Sequence, residues 1–293
     1  MTSRRDFLTT LGVLAGSVAC SRNGASLSQG AIETSRVAER RVERIGIQLY
    51  TVRREMQQDL PGTLARLAEM GYDEVEFAGY FGRTPVQIRA VLEQVGLAAP
   101  STHVGYNLLA AEWDRALDDA AAMGHQYVTV PWLPAEPRRT LDGWRRVADE
   151  FNRAGERATA RGLTFAYHNH DFEFTRVGEG GVVPFDLLLD RTDPSYVQFQ
   201  LDVFWLVKAG GDPLAYLRAH PSRFTTLHIK DSAGAPEHAQ VDVGDGVIDF
   251  AAILRLDRAQ QRAVKHLFIE HDQPADAMAF AKKSHDYVYR MEI

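Results

Sequence analysis

Residues 197–203 read Val-Gln-Phe-Gln-Leu-Asp-Val, so that apolar and polar side chains alternate along the segment. Successive side chains of a β-strand point to opposite faces, and in a barrel one of these faces is the interior. The apolar side chains at the odd positions are expected to pack against surrounding helices, which leaves Asp202 pointing inward. The segment therefore predicts a barrel strand with a carboxylate at its carboxyl end.

Seven further apolar, β-prone runs accompany this one, and helical patterns lie between them and after the last. An alternation of strands and helices calls for a parallel sheet. The eight predicted strands are 45–50, 74–78, 97–103, 127–132, 163–168, 196–203, 224–230 and 266–270. This pattern predicts one α/β domain, a closed (β/α)8 barrel, which at about 250 residues would use most of the chain.

Capping residues support the predicted helices. Asp59 precedes Pro61 near the first helical position, and Gly71 stands where this helix should stop. Later helices begin with the same type of cap, and glycines follow three predicted helices just before a strand. These residues are Asp212-Pro213, Asp249-Phe250, Gly96, Gly124 and Gly162.

The composition excludes several classes of protein. The formal net charge is −6, so there is no basic excess to neutralise the phosphates of a nucleic acid. Cys20 is the only cysteine, which excludes an intrachain disulfide framework and a thiolate zinc cluster. Any metal must therefore be held by His, Asp or Glu side chains.

The first 19 residues predict an export signal. Arg4 and Arg5 precede Phe7 and an apolar run at 11–16, which small residues follow. This order resembles a twin-arginine signal and implies export of the folded protein to the periplasm. The apolar run is too short to span a bilayer.

Residues 20–43 are polar, mixed in charge and without clear periodicity, and predict a linker ahead of the barrel at 44–293. Ala19-Cys20 allows two outcomes. An ordinary signal peptidase can cut there, or Cys20 can be lipidated and anchor the protein to a membrane, although Ser17 fits the lipidation pattern poorly. The oligomeric state stays open.

Four predicted strand ends carry metal-binding side chains, namely His168, Asp202, His228 and Glu270. Because the active sites of such barrels form at the carboxyl ends of the strands, these groups are expected to converge. A single histidine or carboxylate there is more often hydrogen-bonded or ion-paired, but one on each of the last four strands favours a shared role. The set predicts one divalent cation, and its ligand types do not distinguish Mn²⁺, Zn²⁺, Co²⁺, Fe²⁺ or Mg²⁺.

Strand alternation indicates separately where these groups point. His228, Glu270 and Glu76 each follow an apolar residue and share the inward parity. An inward carboxylate is costly unless it is paired, protonated or bound to a metal. Glu76 is a candidate proton carrier, although a buried ion pair with an arginine would satisfy it equally well.

Three more side chains are candidates for proton transfer or substrate contact. His103 ends the third predicted strand, and His170 and Lys230 lie two residues beyond predicted metal ligands. Each also has a structural interpretation. His103 can make a hydrogen bond at the rim, His170 can contact a metal ligand, and Lys230 can form an ion pair with Asp231 or Glu270.

Two tryptophans and a glycine-rich loop are candidate substrate contacts. Trp132 and Trp205 lie at strand ends, where an aromatic ring stacks on a sugar or simply packs. Residues 244–246, Gly-Asp-Gly, form a tight loop before a helix and could cradle a phosphate, but Asp245 would repel it.

Several motifs resemble the sugar phosphate isomerase/epimerase family of xylose-isomerase-like TIM barrels from about Arg44 to the C-terminus. The motifs are GIQLYTV (46–52), EVEFAG (74–79), YHNHDF (167–172), LD (201–202), HIKD (228–231) and VGDGVIDF (243–250). The resemblance implies one divalent cation held by four strand-end ligands, and Asp202, His228 and Glu270 fall on three of these positions. His168 departs from the family pattern, which often has Glu there.

The resemblance and the residues imply the same chemistry. A divalent cation that chelates a carbonyl and its neighbouring hydroxyl stabilises the enediolate formed when the α-proton leaves. Isomerisation, epimerisation, dehydration and β-elimination share that intermediate. We therefore expect a metal-dependent isomerase, epimerase or lyase whose partner is a small carbohydrate, and export favours an unphosphorylated keto-sugar or a glycoside.

Two other functions stay open at this point. One is a non-catalytic sugar-binding protein of the cell envelope. The other is a metal phosphodiesterase that resembles endonuclease IV, which would need extra ligands and a basic groove, so that export and the negative charge speak against it.

Overall fold

The structure, a computed structural model, describes residues 41–260 and 263–293. Eight parallel strands close into a barrel in which neighbouring strands follow the order β1 to β7 and then β10, which pairs back with β1. A short antiparallel pair, β8 with β9, lies outside the barrel. The strands are β1 (Gly46–Gln48), β2 (Glu74–Ala78), β3 (Ala98–His103), β4 (Tyr127–Val130), β5 (Thr164–His168), β6 (Val197–Asp202), β7 (Phe224–Ile229), β8 (Asp231–Ser232), β9 (Gln240–Val241) and β10 (His266–Ile269). The predicted (β/α)8 TIM barrel is confirmed.

Helices connect the strands and surround the barrel. They are α1 (Arg53–Gln58), α2 (Leu60–Met70), α3 (Pro85–Val95), α4 (Leu108–Ala111), α5 (Trp113–Met123), α6 (Leu141–Thr159), α7 (Pro184–Arg191), α8 (Val203–Lys208), α9 (Pro213–Ala219), α10 (Phe250–Ala259) and α11 (Ala277–Arg290). Two 3₁₀ turns lie at Pro137–Arg139 and Phe172–Phe174. Among the described residues, no helix combines the length and the apolar character needed to cross a membrane.

The predicted capping residues lie at the ends of these helices. Asp59 accepts a hydrogen bond from Gly62 N at the start of α2, and Gly71, with φ +102°, ends that helix. Asp212 and Asp249 cap α9 and α10 in the same way. Gly162, with φ +74°, lies three residues beyond the end of α6 at Thr159, and Leu163 N donates to Ala158 O across this turn. The predicted glycine therefore closes the carboxyl end of α6 in the left-handed conformation, just before β5.

The alternation in β6 separates two buried environments. Phe199 lies against Phe185 of α7, with ring centroids 5.4 Å apart, so the odd positions face the helix layer as predicted. Gln200 and Asp202 are equally buried but face the barrel interior, where they meet polar groups of other strands. The burial of both faces explains why a strand of this barrel has almost no exposed residue.

The amino-terminal end of the barrel is closed by structural contacts. Glu74 accepts a hydrogen bond from His266 Nδ1 at 2.7 Å and lies 3.1 Å from Arg44 Nη1. The predicted export signal lies outside the described residues, as does the predicted linker except for residues 41–43. The division of the chain into signal, linker and barrel stays a prediction.

Candidate active site and metal centre

A cavity of about 730 Å³ opens at the carboxyl ends of the barrel strands. Its walls include His103 at the end of β3, His168 at the end of β5 and Glu270 directly after β10. His170 and Lys230, which follow β5 and β7, also line it. The structure thus brings most of the predicted site residues to one cavity, at the end of the barrel where such sites form.

The four predicted metal ligands form one group, in which His168 and Glu270 belong to the wall of this cavity. His168, Asp202, His228 and Glu270 each offer a ligand atom, and these atoms all lie within 4.8 Å of one another. All four residues are buried. Among the described residues a second group, His103 with His168 and His228, meets the same distance criterion. The placement fits the predicted centre and leaves the identity of a cation open.

Asp202 is held by hydrogen bonds to its backbone and to one carboxylate oxygen, and its other oxygen faces Lys230. Asn169 exchanges two hydrogen bonds with the Asp202 backbone, and Asp202 Oδ1 accepts from Trp205 N at the start of α8. Asp202 Oδ2 accepts no hydrogen bond from any described residue, but it forms an ion pair with Lys230 Nζ at 3.2 Å and lies 3.8 Å from His168 Nε2. Burial raises the pKa of Asp202 to about 6, in spite of the nearby Lys230 ammonium. A buried carboxylate needs a compensating positive charge, which Lys230 supplies in this structure.

His228 joins the group to a second carboxylate below it. Its Nε2 lies 2.5 Å from Glu76 Oε2, and its Nδ1 lies 2.5 Å from Glu270 Oε2. Burial lowers the pKa of His228, but the carboxylates of Glu270 and Glu76 outweigh this effect and raise it to about 10. Histidines that bind metals usually donate their other ring N–H to a carboxylate, as His228 does to Glu76.

His168 occurs in the neutral form, which is the form that binds a metal. Burial, followed by the positive charge of neighbouring groups that include His228 and Lys230, lowers its pKa well below the usual value. His168 Nδ1 lies 3.2 Å from Gln200 Oε1. This departure from the family pattern, where Glu is frequent, therefore still provides a competent ligand.

The ammonium group of Lys230 places a positive charge of the protein itself at the site. Its ammonium lies 2.9 Å from Asp272 Oδ1, 3.0 Å from Glu270 Oε2 and 3.2 Å from Asp202 Oδ2, and the side chain is buried. The predicted ion pair with Glu270 is confirmed. The alternative partner Asp231 was wrong, because its carboxylate turns away from the cavity and accepts backbone hydrogen bonds.

Those backbone hydrogen bonds also determine whether the glycine-rich loop at 244–246 can bind a phosphate. Asp231 Oδ2 accepts from Gly244 N at 2.9 Å and from Gly246 N at 3.1 Å. Asp245 forms an ion pair with Lys283. The amides that would cradle a phosphate are bound to a carboxylate, so the phosphate-cradle interpretation of this loop was wrong.

The two candidate imidazoles flank the His168 ring. The ring centroids of His103 and His170 lie 5.4 Å and 5.1 Å from that of His168. His103 Nε2 lies 2.9 Å from Gln200 Oε1, whereas His170 Nδ1 is buried and bonded to no described residue. Burial lowers the pKa of His170 to about 4, so this ring is neutral and has a lone pair available for a proton.

Glu76 lies beneath the cavity and is not among the described residues that line it. It is fully buried and accepts from the Gln48 and Gln200 amides and the Ser101 hydroxyl, while His228 lies against its second oxygen. Its partners are therefore amides, a hydroxyl and histidines, and the arginine partner considered from the sequence was wrong. A direct catalytic role for Glu76 stays a prediction. Its contact with His228 supports the group of four predicted metal ligands.

The two tryptophans differ in position. Trp132 is 48% exposed, lines the cavity and has the Arg138 guanidinium 4.9 Å from its ring centroid. Trp205 packs against His170 with ring centroids 5.1 Å apart and is not among the described residues on the cavity wall. Trp132 is thus the better placed of the two for a substrate ring.

Sequence reasoning missed several residues that hold the site together. Gln200 shares the inward parity of Asp202 and could have been found by extending that pattern. Asn169 and Glu173 lie in the segment that follows β5, next to the predicted His168, but nothing in the sequence indicates what they contact. Asp272, two residues beyond β10, gave no signal, because its importance comes only from its contact with Lys230.

Glu173 predicts a pH-dependent stability. Its Oε2 accepts from His170 N at 2.9 Å and its Oε1 contacts the Tyr167 hydroxyl, but burial still raises its pKa to about 8. The folded protein binds this proton more tightly than the unfolded chain does. The protonated Glu173 therefore makes its full contribution to the free energy of unfolding below the unfolded pKa, and this contribution is lost as the pH rises through 8.

We expect the free energy of unfolding of Glu173→Gln to fall less with rising pH than that of the wild type. The amide reproduces the protonated carboxyl, because it accepts from His170 N and donates to the Tyr167 oxygen. The difference should amount to a few kcal/mol, at about 1.4 kcal/mol per pKa unit. Urea unfolding from about pH 5 to pH 9 measures it. Equal pH slopes for wild type and variant would contradict a buried, protonated Glu173.

The family comparison agrees with the observed fold. Residues 64–260, more than half of the chain, match the family described as xylose isomerase-like TIM barrel. The inosose dehydratase of Geobacillus kaustophilus (strain HTA426) is 26% identical over 290 residues, covering 80% of this chain and 91% of that protein. An inosose dehydratase of Lacticaseibacillus casei is 31% identical over 134 residues, covering 40% of this chain and 44% of that protein.

Solved structures agree with this match. A sugar phosphate isomerase/epimerase from Parabacteroides distasonis ATCC 8503 superposes with a TM-score of 0.74 at 30% identity, covering 84% of this chain and 97% of that one. An L-ribulose 3-epimerase, at 19% identity and a TM-score of 0.64, shares the fold. Because its relatives are enzymes of these kinds, the chain is an enzyme of the isomerase, epimerase or lyase type, and it belongs to the xylose isomerase-like TIM barrel family.

Proposed function

We propose that this enzyme depends on a divalent metal and transfers a proton beside the carbonyl of an unphosphorylated keto-sugar or glycoside. The observation that carries the proposal is the buried group of two imidazoles and two carboxylates, of which His168 and Glu270 line an open cavity. Relatives named as dehydratases and as sugar isomerases or epimerases support the reaction type.

His168, Asp202, His228 and Glu270 would hold the cation. When bound there, it supplies Lewis-acid polarisation of a carbonyl and a neighbouring hydroxyl oxygen. The protein itself contributes the buried ammonium of Lys230, which is placed to stabilise negative charge that develops on the substrate. Asn169 and Glu76 keep Asp202 and His228 in their orientations.

Proton transfer is assigned to the imidazoles that flank His168. His170 is neutral and lines the cavity, so it can carry a proton to or from a substrate. His103 lines the same cavity, and its ring also lies against that of His168. The cavity therefore offers two imidazoles for acid and base roles.

The cavity favours a glycoside over a sugar phosphate. The cavity of about 730 Å³ lies within the usual range of small-molecule sites, roughly 300 to 1,000 Å³, and can take a sugar with an attached group. Among the described lining residues, Lys230 is bound by three carboxylates and Arg115 pairs with Glu112. A phosphate would find no free cationic cluster there.

Deuterium exchange tests the function. Metal-replete protein is incubated in D₂O with a panel of 3-keto-glycosides and ketoses, and its metal content is measured by elemental analysis. We expect deuterium in the carbon-bound position next to the carbonyl of at least one substrate, and no exchange after chelation. Binding of a sugar without exchange would replace the proposal with the envelope sugar-binding protein.

The endonuclease IV-like alternative gains no support from the site. The cavity wall carries Asp119, Glu270 and Asp272, which would repel a nucleic-acid backbone. Export to the periplasm and lipidation at Cys20 are proposals from the sequence, because those residues lie outside the described part of the chain.

A further inference from the structure

Gln200 connects Glu76 to two of the site histidines. It lies on β6 two residues before Asp202 and is fully buried. Its Nε2 is 2.7 Å from Glu76 Oε1, and its Oε1 is 2.9 Å from His103 Nε2 and 3.2 Å from His168 Nδ1. One uncharged side chain therefore contacts a carboxylate below the site and two imidazoles within it.

The contacts of Glu76 determine which way this amide points. Glu76 Oε1 also accepts from the Ser101 hydroxyl at 2.6 Å, and its Oε2 accepts from Gln48 Nε2 at 2.7 Å. A flipped Gln200 would place an amide oxygen 2.7 Å from a carboxylate oxygen, where two acceptors repel each other. The Gln200 nitrogen therefore donates to Glu76, and its oxygen faces the histidines.

An amide oxygen only accepts hydrogen bonds, so each ring nitrogen that contacts it must carry a hydrogen. His168 then has its hydrogen on Nδ1 and its lone pair on Nε2, the atom that lies 3.8 Å from Asp202 Oδ2. His103 has its hydrogen on Nε2, which also lies 3.2 Å from Glu76 Oε2. The two rings thus face one acceptor through different nitrogens, Nδ1 of His168 and Nε2 of His103.

We propose that Gln200 is a positioning residue that sets the tautomer of His168. It keeps Nε2 of His168 bare toward Asp202 Oδ2, and the expected effect on metal affinity rests on the proposed function. Toward His103 it acts together with Glu76, which accepts from the same ring nitrogen. An amide suits the position because it orients both rings without adding charge to a site that already holds several carboxylates.

The test reads the tautomers directly from ¹⁵N NMR of the histidine rings in metal-free protein, with His168→Asn used to assign the His168 signals. In Gln200→Met, His168 Nδ1–H loses its acceptor, and we expect its signals to move toward the Nε2–H form. Divalent-metal affinity should fall roughly 10- to 100-fold, as is usual when a partner of a metal-binding histidine is removed. His103 should change less, because Glu76 still accepts from it.

Two further variants keep the test decisive. Gln198→Met changes the same residue type on the same strand, but Gln198 donates to Pro194 O, so the histidine signals and metal affinity should stay unchanged. Gln200→Glu keeps an acceptor oxygen toward both rings and can share a proton with Glu76, so it should retain the His168 tautomer. Retention of that tautomer in Gln200→Met, or its loss in Gln200→Glu, would overturn the proposal. Because the spectra need neither metal nor substrate, failure of the proposed reaction would leave this result independent.

Discussion

Asp202→Asn is expected to lose most of the bound metal and the activity while the barrel stays folded. The substitution removes the negative charge of the carboxylate but keeps an oxygen that can cap α8 through Trp205 N. Because this carboxylate belongs to the ligand group itself, the affinity should fall by more than the roughly 10- to 100-fold typical of residues behind the ligands. Isothermal titration with Mn²⁺ and Zn²⁺, together with elemental analysis, measures the effect.

Asp249→Asn is the matched control for this variant. Asp249 also caps a helix, by accepting from Ala252 N, but it lies on the exposed surface away from the metal group. We expect normal metal binding and turnover from it. Glu270→Gln should repeat the loss seen in Asp202→Asn. If both carboxylate variants bind metal stoichiometrically with the affinity of the wild type, the proposed centre is wrong.

Lys230→Met is expected to lower turnover by roughly 10²- to 10⁴-fold while metal binding is kept or becomes tighter. The ammonium lies within 3.2 Å of Asp202 and Glu270, so its removal frees both carboxylates for a cation. Without metal, the unpaired buried carboxylates should lower the melting temperature, and added metal should restore it. Turnover, α-proton exchange and thermal melting with and without metal give these three quantities.

His103→Asn separates proton transfer from metal binding in the same assays. If His103 carries a proton, the variant should keep its metal and lose turnover to a similar extent. Loss of the metal would instead identify the group of His103, His168 and His228 as the centre. Full turnover in both Lys230→Met and His103→Asn would assign the proton transfer to His170 or Glu76.

The fold could be predicted because its signals are local. The alternation in residues 197–203 gave the inward direction of Asp202, and Asp59, Asp212 and Asp249 marked helix starts through contacts with residues two or three positions away. Gly162 marked the end of α6 for the same reason, since it takes φ +74° in the turn where Leu163 N donates to Ala158 O.

The contacts of the site could be predicted only in part. Position at a strand end gave His168, Asp202, His228 and Glu270, because every strand of a parallel barrel ends at the same rim. The partners of these side chains were mostly missed. Gln200 and Glu76 lie 124 positions apart, and Lys230 and Asp272 lie 42 apart, so no spacing rule connects them.

By itself, the sequence determined the barrel, its inward-facing polar residues and the set of side chains able to hold a metal, since strand parity and helix caps act over a few residues. Only the tertiary structure decided which atoms remain free. It placed Asp202 Oδ2 and His170 Nδ1 without hydrogen-bond partners in the described chain, and it directed Asp231 to backbone amides instead of Lys230. Hydrogen bonding depends on distances of a few tenths of an ångström between distant segments, and packing of the whole barrel sets those distances.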